Sequence, residues 1–294
     1  PLPADFSPGP GACVPADFAS YCQSLTPPVA AVPLWWRNAC ASYDLQEDAS
    51  TQVPYAVADR IAAEAFAAWS EATCAPGGRV SIAVVDLGPV SCDLVNYNTS
   101  GGNQHVIVFR DKVWPYPNDI NNTLGLTTVT FDRDTGEIYD ADTEINATKP
   151  LAVSDPVPSD GYDLRSIMTH EAGHFLGLAH TYDPAATMYA QYTPGSISKR
   201  VLESDDVAGI CSIYPPGGVR AVAASVAAGG HVAEDACDPT PRHGFLSSCS
   251  APSVSGGCAV GRPGSTRSTR DSGIACGFGL LLAASAAARR RRAR

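Results

Sequence analysis

Residues 170–180 read HEAGHFLGLAH. On a helix, His170 and His174 stand one turn apart and aim their imidazoles at one point, while Glu171 is rotated by about 100° and reaches a water held at that point. Gly177 comes three residues after His174. Lacking a Cβ, it lets the chain turn sharply at the helix end and bring His180 back to the same place. Three neutral imidazoles leave a fourth coordination position open, which is the arrangement of a catalytic rather than a structural zinc. Zinc held this way lowers the pKa of a bound water to about 7 and polarises a carbonyl, with Glu171 as general base and no protein nucleophile. The pattern fixes five positions, so a random match in a chain of this length is on the order of one in ten thousand. The competing reading is a metal-free helix whose histidines are ordinary core or surface residues.

Upstream, Val57, Ile61, Ala65 and Trp69 recur every four positions within Tyr55–Thr73 and predict an amphipathic helix that packs on a sheet. Strands are expected at 79–85 (RVSIAVV), 104–110 (QHVIVFR) and 125–131 (LGLTTVT), followed by a polar segment, GEIYDADTEIN, at 136–146. The loop 150–161 holds three prolines, and Asp160 or Asp163 caps a helix that starts near Tyr162. A third helix is expected over Leu202–Tyr214, with Asp205 and Asp206 at its positive end and Pro215, Pro216 and two glycines stopping it. Residues 1–33, with PADF at 3 and again at 15, read as a leader or pro-segment. Residues 34–216 read as the catalytic domain and 217–272 as a Gly/Ala/Ser/Pro-rich linker.

Three stretches carry a family resemblance: DLRSIMTHEAGHFLGLAH at 163–180, AATMYA at 185–190 and ESDDVAGICSIYPP at 203–216. Together they resemble the matrixins, the matrix metalloproteinase family within the metzincin clan. The resemblance implies an α+β zincin fold: a twisted five-stranded mixed sheet, three helices, and an active-site cleft between an upper and a lower subdomain. It implies a zinc-dependent endopeptidase, with His170, His174 and His180 on the metal, Glu171 as base, and Met188 in a tight turn beneath it. Substrate would lie extended along an edge strand. Astacins and serralysins place a Tyr ligand two residues after this Met, where Ala190 stands here. Thr128 and Ile138 stand where the family's second, structural zinc has histidines, so that zinc is not expected. Asp140 and Asp142 resemble positions near a structural calcium, but Thr143 replaces an acidic ligand; a calcium site and a solvated acidic turn both fit. No PRCG-type cysteine switch is present, which leaves Cys13 and Cys22 to disulfides or to inhibition of the zinc.

The composition sets outer bounds. At 294 residues and 45% hydrophobic, the chain can bury a core. Its net charge of −10 hides an asymmetry, because residues 1–261 carry 12 basic against 29 acidic side chains. That balance argues against nucleic-acid binding. Ten cysteines without a CxxC pair point to disulfides in an oxidising compartment, with the connectivity open. The sequence opens at Pro1 with no apolar export segment, so an export signal is expected to have been removed or to lie outside it. Residues 273–288 form an uncharged apolar run before RRRRAR. With Cys258 in SGGCAVG, this tail resembles the tripartite sorting signals of myxobacterial surface proteins, with a transient membrane span. A monomer that is secreted or on the cell surface, acting on protein or peptide substrates, is the expectation. A non-catalytic binding module on a protease fold and a zinc amidase acting on cell-wall peptide are the alternatives.

Overall fold

The computed structural model describes residues 33–116, 123–133, 135–216, 220–222, 225–227, 238–249, 280–281 and 283–284. In chain order the elements through the catalytic segment are β1 (Trp35–Trp36), β2 (Cys40–Gln46), α1 (Tyr55–Ser70), β3 (Ala83–Val90), β4 (Val106–Phe109), β5 (Gly125–Phe131), β6 (Glu137–Ile145), β7 (Leu151–Ala152), β8 (Tyr162–Asp163) and α2 (Leu164–Phe175). There follow β9 (Gln191–Tyr192), a 3-10 turn (Ser198–Arg200), α3 (Ser204–Ile213), and the short strands β10 (Arg220–Val222), β11 (Ser225–Ala227), β12 (Leu280–Leu281) and β13 (Ala283–Ala284).

The central sheet runs β3-β2-β4-β6-β5, with β12 beyond β5 and β1 beside β6. β2 pairs in parallel with β3 and β4, and β4 with β6; β5 alone among the longer strands is antiparallel, against β6. The expected mixed α+β sheet with three helices is therefore present. β2 is a strand that the hydrophobic pattern did not announce. CASYDLQ does not alternate, because a central strand covered on both faces is buried along nearly its whole length.

Two expected boundaries move for identifiable reasons. α1 ends at Ser70 rather than Thr73, and β3 starts at Ala83 rather than Arg79. Between them Val80 N donates to Ala72 O and Ser81 N to Tyr214 O, so this stretch is spent on tying the end of α1 to the end of α3. The disulfide Cys74–Cys211 fastens the same junction, with Cα atoms 5.6 Å apart. The segment 136–146, read as a polar stretch, is the strand β6. Asp140 and Asp142 lie in it, each 1% exposed, which overturns the solvated-turn reading: β6 sits between β4 and β5 and both its faces are covered.

α1 buries Ala58, Ile61, Ala62, Ala65, Phe66 and Trp69 against the core, and Trp69 Nε1 donates to Thr169 O of α2 at 2.7 Å. Burial of each large side chain of this kind is worth roughly 1.5–3 kcal/mol. Residues 238–249, within the stretch read as linker, lie against the domain. Ser91 N bonds Ser247 O, Asn103 N bonds Gly244 O, and Cys92–Cys249 closes the contact covalently. Residues 1–32, Cys258 and most of the apolar tail lie outside the described residues; of that tail, β12 pairs antiparallel with β5 and β13 parallel with β9. Among the described residues, no helix is long and apolar enough to cross a membrane.

Candidate metal centre

α2 begins where Asp163, not Asp160, caps it: the Asp163 carboxylate accepts from Ser166 N at 2.9 Å. Arg200 locks that carboxylate from the other side through Nε at 2.8 Å and a terminal nitrogen at 2.7 Å, a two-pronged pairing that fixes the cap's direction. At the far end, Gly177 takes φ +98°, and Gly177 N and Leu178 N bond back to His174 O and Gly173 O. This Schellman turn needs a residue free to adopt the left-handed region, and a Cβ there would stand 2.3 Å from Leu34 O. The last helix carbonyls go to Trp36 Nε1, 2.8 Å from Phe175 O, and to the Tyr214 hydroxyl, 3.0 Å from Leu176 O.

The turn delivers His180 to the two helical histidines. His174 Nε2 and His170 Nε2 each lie 3.2 Å from His180 Nε2. His170 Nδ1 faces Thr187 O at 2.6 Å and His174 Nδ1 faces Leu178 O at 2.8 Å. Carbonyls only accept, so these two Nδ1 atoms carry the protons and their Nε2 lone pairs point inward. Lone pairs converging at this distance repel unless a cation sits among them, and tetrahedral zinc ligands at about 2.0–2.1 Å stand about 3.3 Å apart. The donor set fits zinc. Burial also suits a cation over protons: it pushes His180 down to about 2 and His174 to about 4, and holds His170 well below its usual value, with the Lys199 charge adding to the effect on each. No other group of three or more His, Cys, Asp or Glu side chains among the described residues is placed to hold a metal ion.

Glu171 is buried beside this cluster. Its Oε2 accepts from Thr127 Oγ1 at 2.7 Å, while Oε1 has no hydrogen-bond partner. Burial lifts its pKa to about 8, with the Thr127 hydrogen bond pulling the other way. Met188 packs under α2: a Cβ at Gly173 would stand 2.3 Å from its Sδ. The turn that carries it is pinned by Asp206 of α3, which accepts from Thr187 N at 2.7 Å and Met188 N at 3.0 Å. Lys199, 5% exposed, donates from Nζ to the carbonyls of Ala186, Thr187 and Tyr189 in the same turn. Burial lowers its pKa to about 8, against the pull of Asp206.

His170, Glu171, His174, His180 and Met188 are thus brought together. Asp140 and Asp142 are not part of this group. Val106 N donates to Asp142 at 2.9 Å, and His105 Nε2 lies 3.9 Å from Asp140; burial lifts Asp140 to about 7 and holds Asp142 well above the usual carboxylate value. Thr127, Asp206 and Lys199 were not singled out for this site in the sequence. Their partners are 44, 19 and 12 residues away, and only the acidic pair Asp205–Asp206 gave a local signal, as a helix start.

The matrixin family model matches residues 35–215. Over 89 residues the chain is 35% identical to a probable matrix metalloproteinase 095L of Invertebrate iridescent virus 3, covering 30% of this chain and 24% of that protein. Metalloendoproteinase 1-MMP of Arabidopsis thaliana is 36% identical over 83 residues, or 28% and 20% of the two chains. Neutrophil collagenase of Homo sapiens is 46% identical over 56 residues, or 19% and 12%. The chain therefore spans less than a quarter of the length of these relatives.

Proposed function

Because the chain belongs to the matrixin family, whose matched segment covers residues 35–215, we propose that it is a zinc-dependent endopeptidase that hydrolyses peptide bonds of extracellular proteins. The observation that carries this is the convergence of three buried Nε2 atoms, two with their tautomer fixed by a carbonyl, beside a carboxylate with one free oxygen. His170, His174 and His180 are the ligands in this reading. The ion would supply Lewis acidity to the attacking water and to the scissile carbonyl.

The chain's own residues do the rest. Thr187 O and Leu178 O hold the rings of His170 and His174 in the ligating tautomer. Glu171 takes the water's proton at Oε1 and returns it to the leaving amine. Its burial excludes bulk water, and a cation nearby favours its ionised form. An extended substrate would pair with the outer edge of β5 in place of β12, which pairs antiparallel on that edge. Two disulfides support an oxidising, exported setting.

The full chain, purified under oxidising conditions, should hold one zinc and cleave a denatured casein-like protein. Chelation should abolish cleavage, and Glu171→Ala should lower kcat by about 10²–10⁴-fold with zinc retained. Stoichiometric zinc without turnover of any protein would favour a binding module. Turnover of cell-wall peptide alone would favour an amidase.

A further inference from the structure

We propose that Gly125 and Thr127, alternate residues on one face of β5, form a cradle that holds the Glu171 carboxylate in a single orientation, and that Thr127 is a positioning residue for the general base. The proposal rests on the endopeptidase reading for its consequence and on strand geometry for its substance.

Alternate residues of a strand point to the same face, and on β5 this face is turned toward α2. Thr127 Oγ1, fully buried, lies 2.7 Å from Glu171 Oε2 and 3.0 Å from Thr143 Oγ1, its register partner on β6. An ionised carboxylate only accepts, and a hydroxyl has one proton to give. Thr127 therefore donates to Glu171, and Thr143 donates to Thr127. The order of donors is fixed from the sheet inward. Oε2 is occupied by this hydrogen bond, and the other oxygen, Oε1, is left free to take a proton.

Gly125 completes the arrangement by what it lacks. A Cβ there would stand 2.5 Å from Oε1, 2.8 Å from Cδ and 2.9 Å from Cγ of Glu171. The carboxylate fills the space that any other side chain at this position would take. One strand thus holds one oxygen and clears room for the other. Pre-orientation of this kind removes a reorganisation step from proton transfer.

The test uses the full zinc-loaded chain. Thr127→Val keeps the shape and removes the donor; Thr127→Ser keeps the donor. The valine variant should lose about 10- to 100-fold in kcat with KM within about twofold and zinc content unchanged, and the serine variant should recover most of the loss. Gly125→Ala should lower kcat in the same way. Without substrate, the antisymmetric carboxylate stretch of Glu171, assigned by difference against Glu171→Gln, should shift in the valine variant and return in the serine variant. Unchanged kcat in Thr127→Val, or equal losses in valine and serine, would overturn the proposal. So would an unshifted infrared band, even in a protein that cleaves nothing. Failure of the wild type to cleave would instead overturn the endopeptidase reading and leave the band to decide the cradle.

Discussion

Single side chains set the tolerances of this site. Gly173 shows how tight they are: a Cβ there would stand 2.3 Å from Met188 Sδ and 2.7 Å from Trp69 Cζ2. Neither neighbour can retreat, since both are buried and Trp69 is held by its bond to Thr169 O. Gly173→Ala should therefore destabilise the fold by about 1–3 kcal/mol, the usual cost of overpacking, despite alanine's higher helix propensity. Urea unfolding at equilibrium measures it, and a stabilised variant would contradict the packing described. The histidines were legible because ligand spacing along one helix is a local property of sequence. Thr127 was not, because a threonine in a β-strand looks like any strand former. Its importance comes from a helix residue 44 positions away.

Among the elements, β6 departs furthest from what its sequence suggested. GEIYDADTEIN reads as a polar segment and its acids as a solvated turn or positions near a calcium; the segment is a central strand with Asp140 and Asp142 buried, which removes the solvated turn. What hid the strand is its mixture of two faces: Ala141, Thr143 and Ile145 alternate with acids that ordinary patterning assigns to water. Burial lifts Asp140 to about 7, whereas the unfolded chain releases that proton near 4. The native state therefore holds a proton that the unfolded state has lost, and stability falls as pH rises from about 4 to 7. Asp140→Asn removes this dependence. In urea titrations at pH 5 and pH 8, the variant should gain on the wild type between the two; parallel curves would mean that Asp140 is ionised in the fold. β2 was missed because a strand covered on both faces does not alternate, and β3 starts late because Ser81 N is spent on Tyr214 O rather than on the sheet.

At the scale of the whole molecule, two disulfides among the described residues connect segments far apart in the chain. Cys74–Cys211 joins the end of α1 to α3 across 137 residues, so its loss releases a long loop in the unfolded state. The double variant Cys74→Ala/Cys211→Ala should lose about 2–5 kcal/mol, read from the denaturation midpoint. A change confined to zinc content would place its role elsewhere. Even cysteines and an export-like composition made disulfides legible, but the pairing was not, because it depends on which helix ends meet. Cys92–Cys249 draws residues 238–249 back onto the domain, and Arg242 rests over the Tyr139 ring at 3.9 Å. A single backbone break anywhere in 217–237 would consequently yield a two-chain protein, its light chain retained at least through Cys92–Cys249. Intact and nicked material should run together on a non-reducing gel and separate only after dithiothreitol.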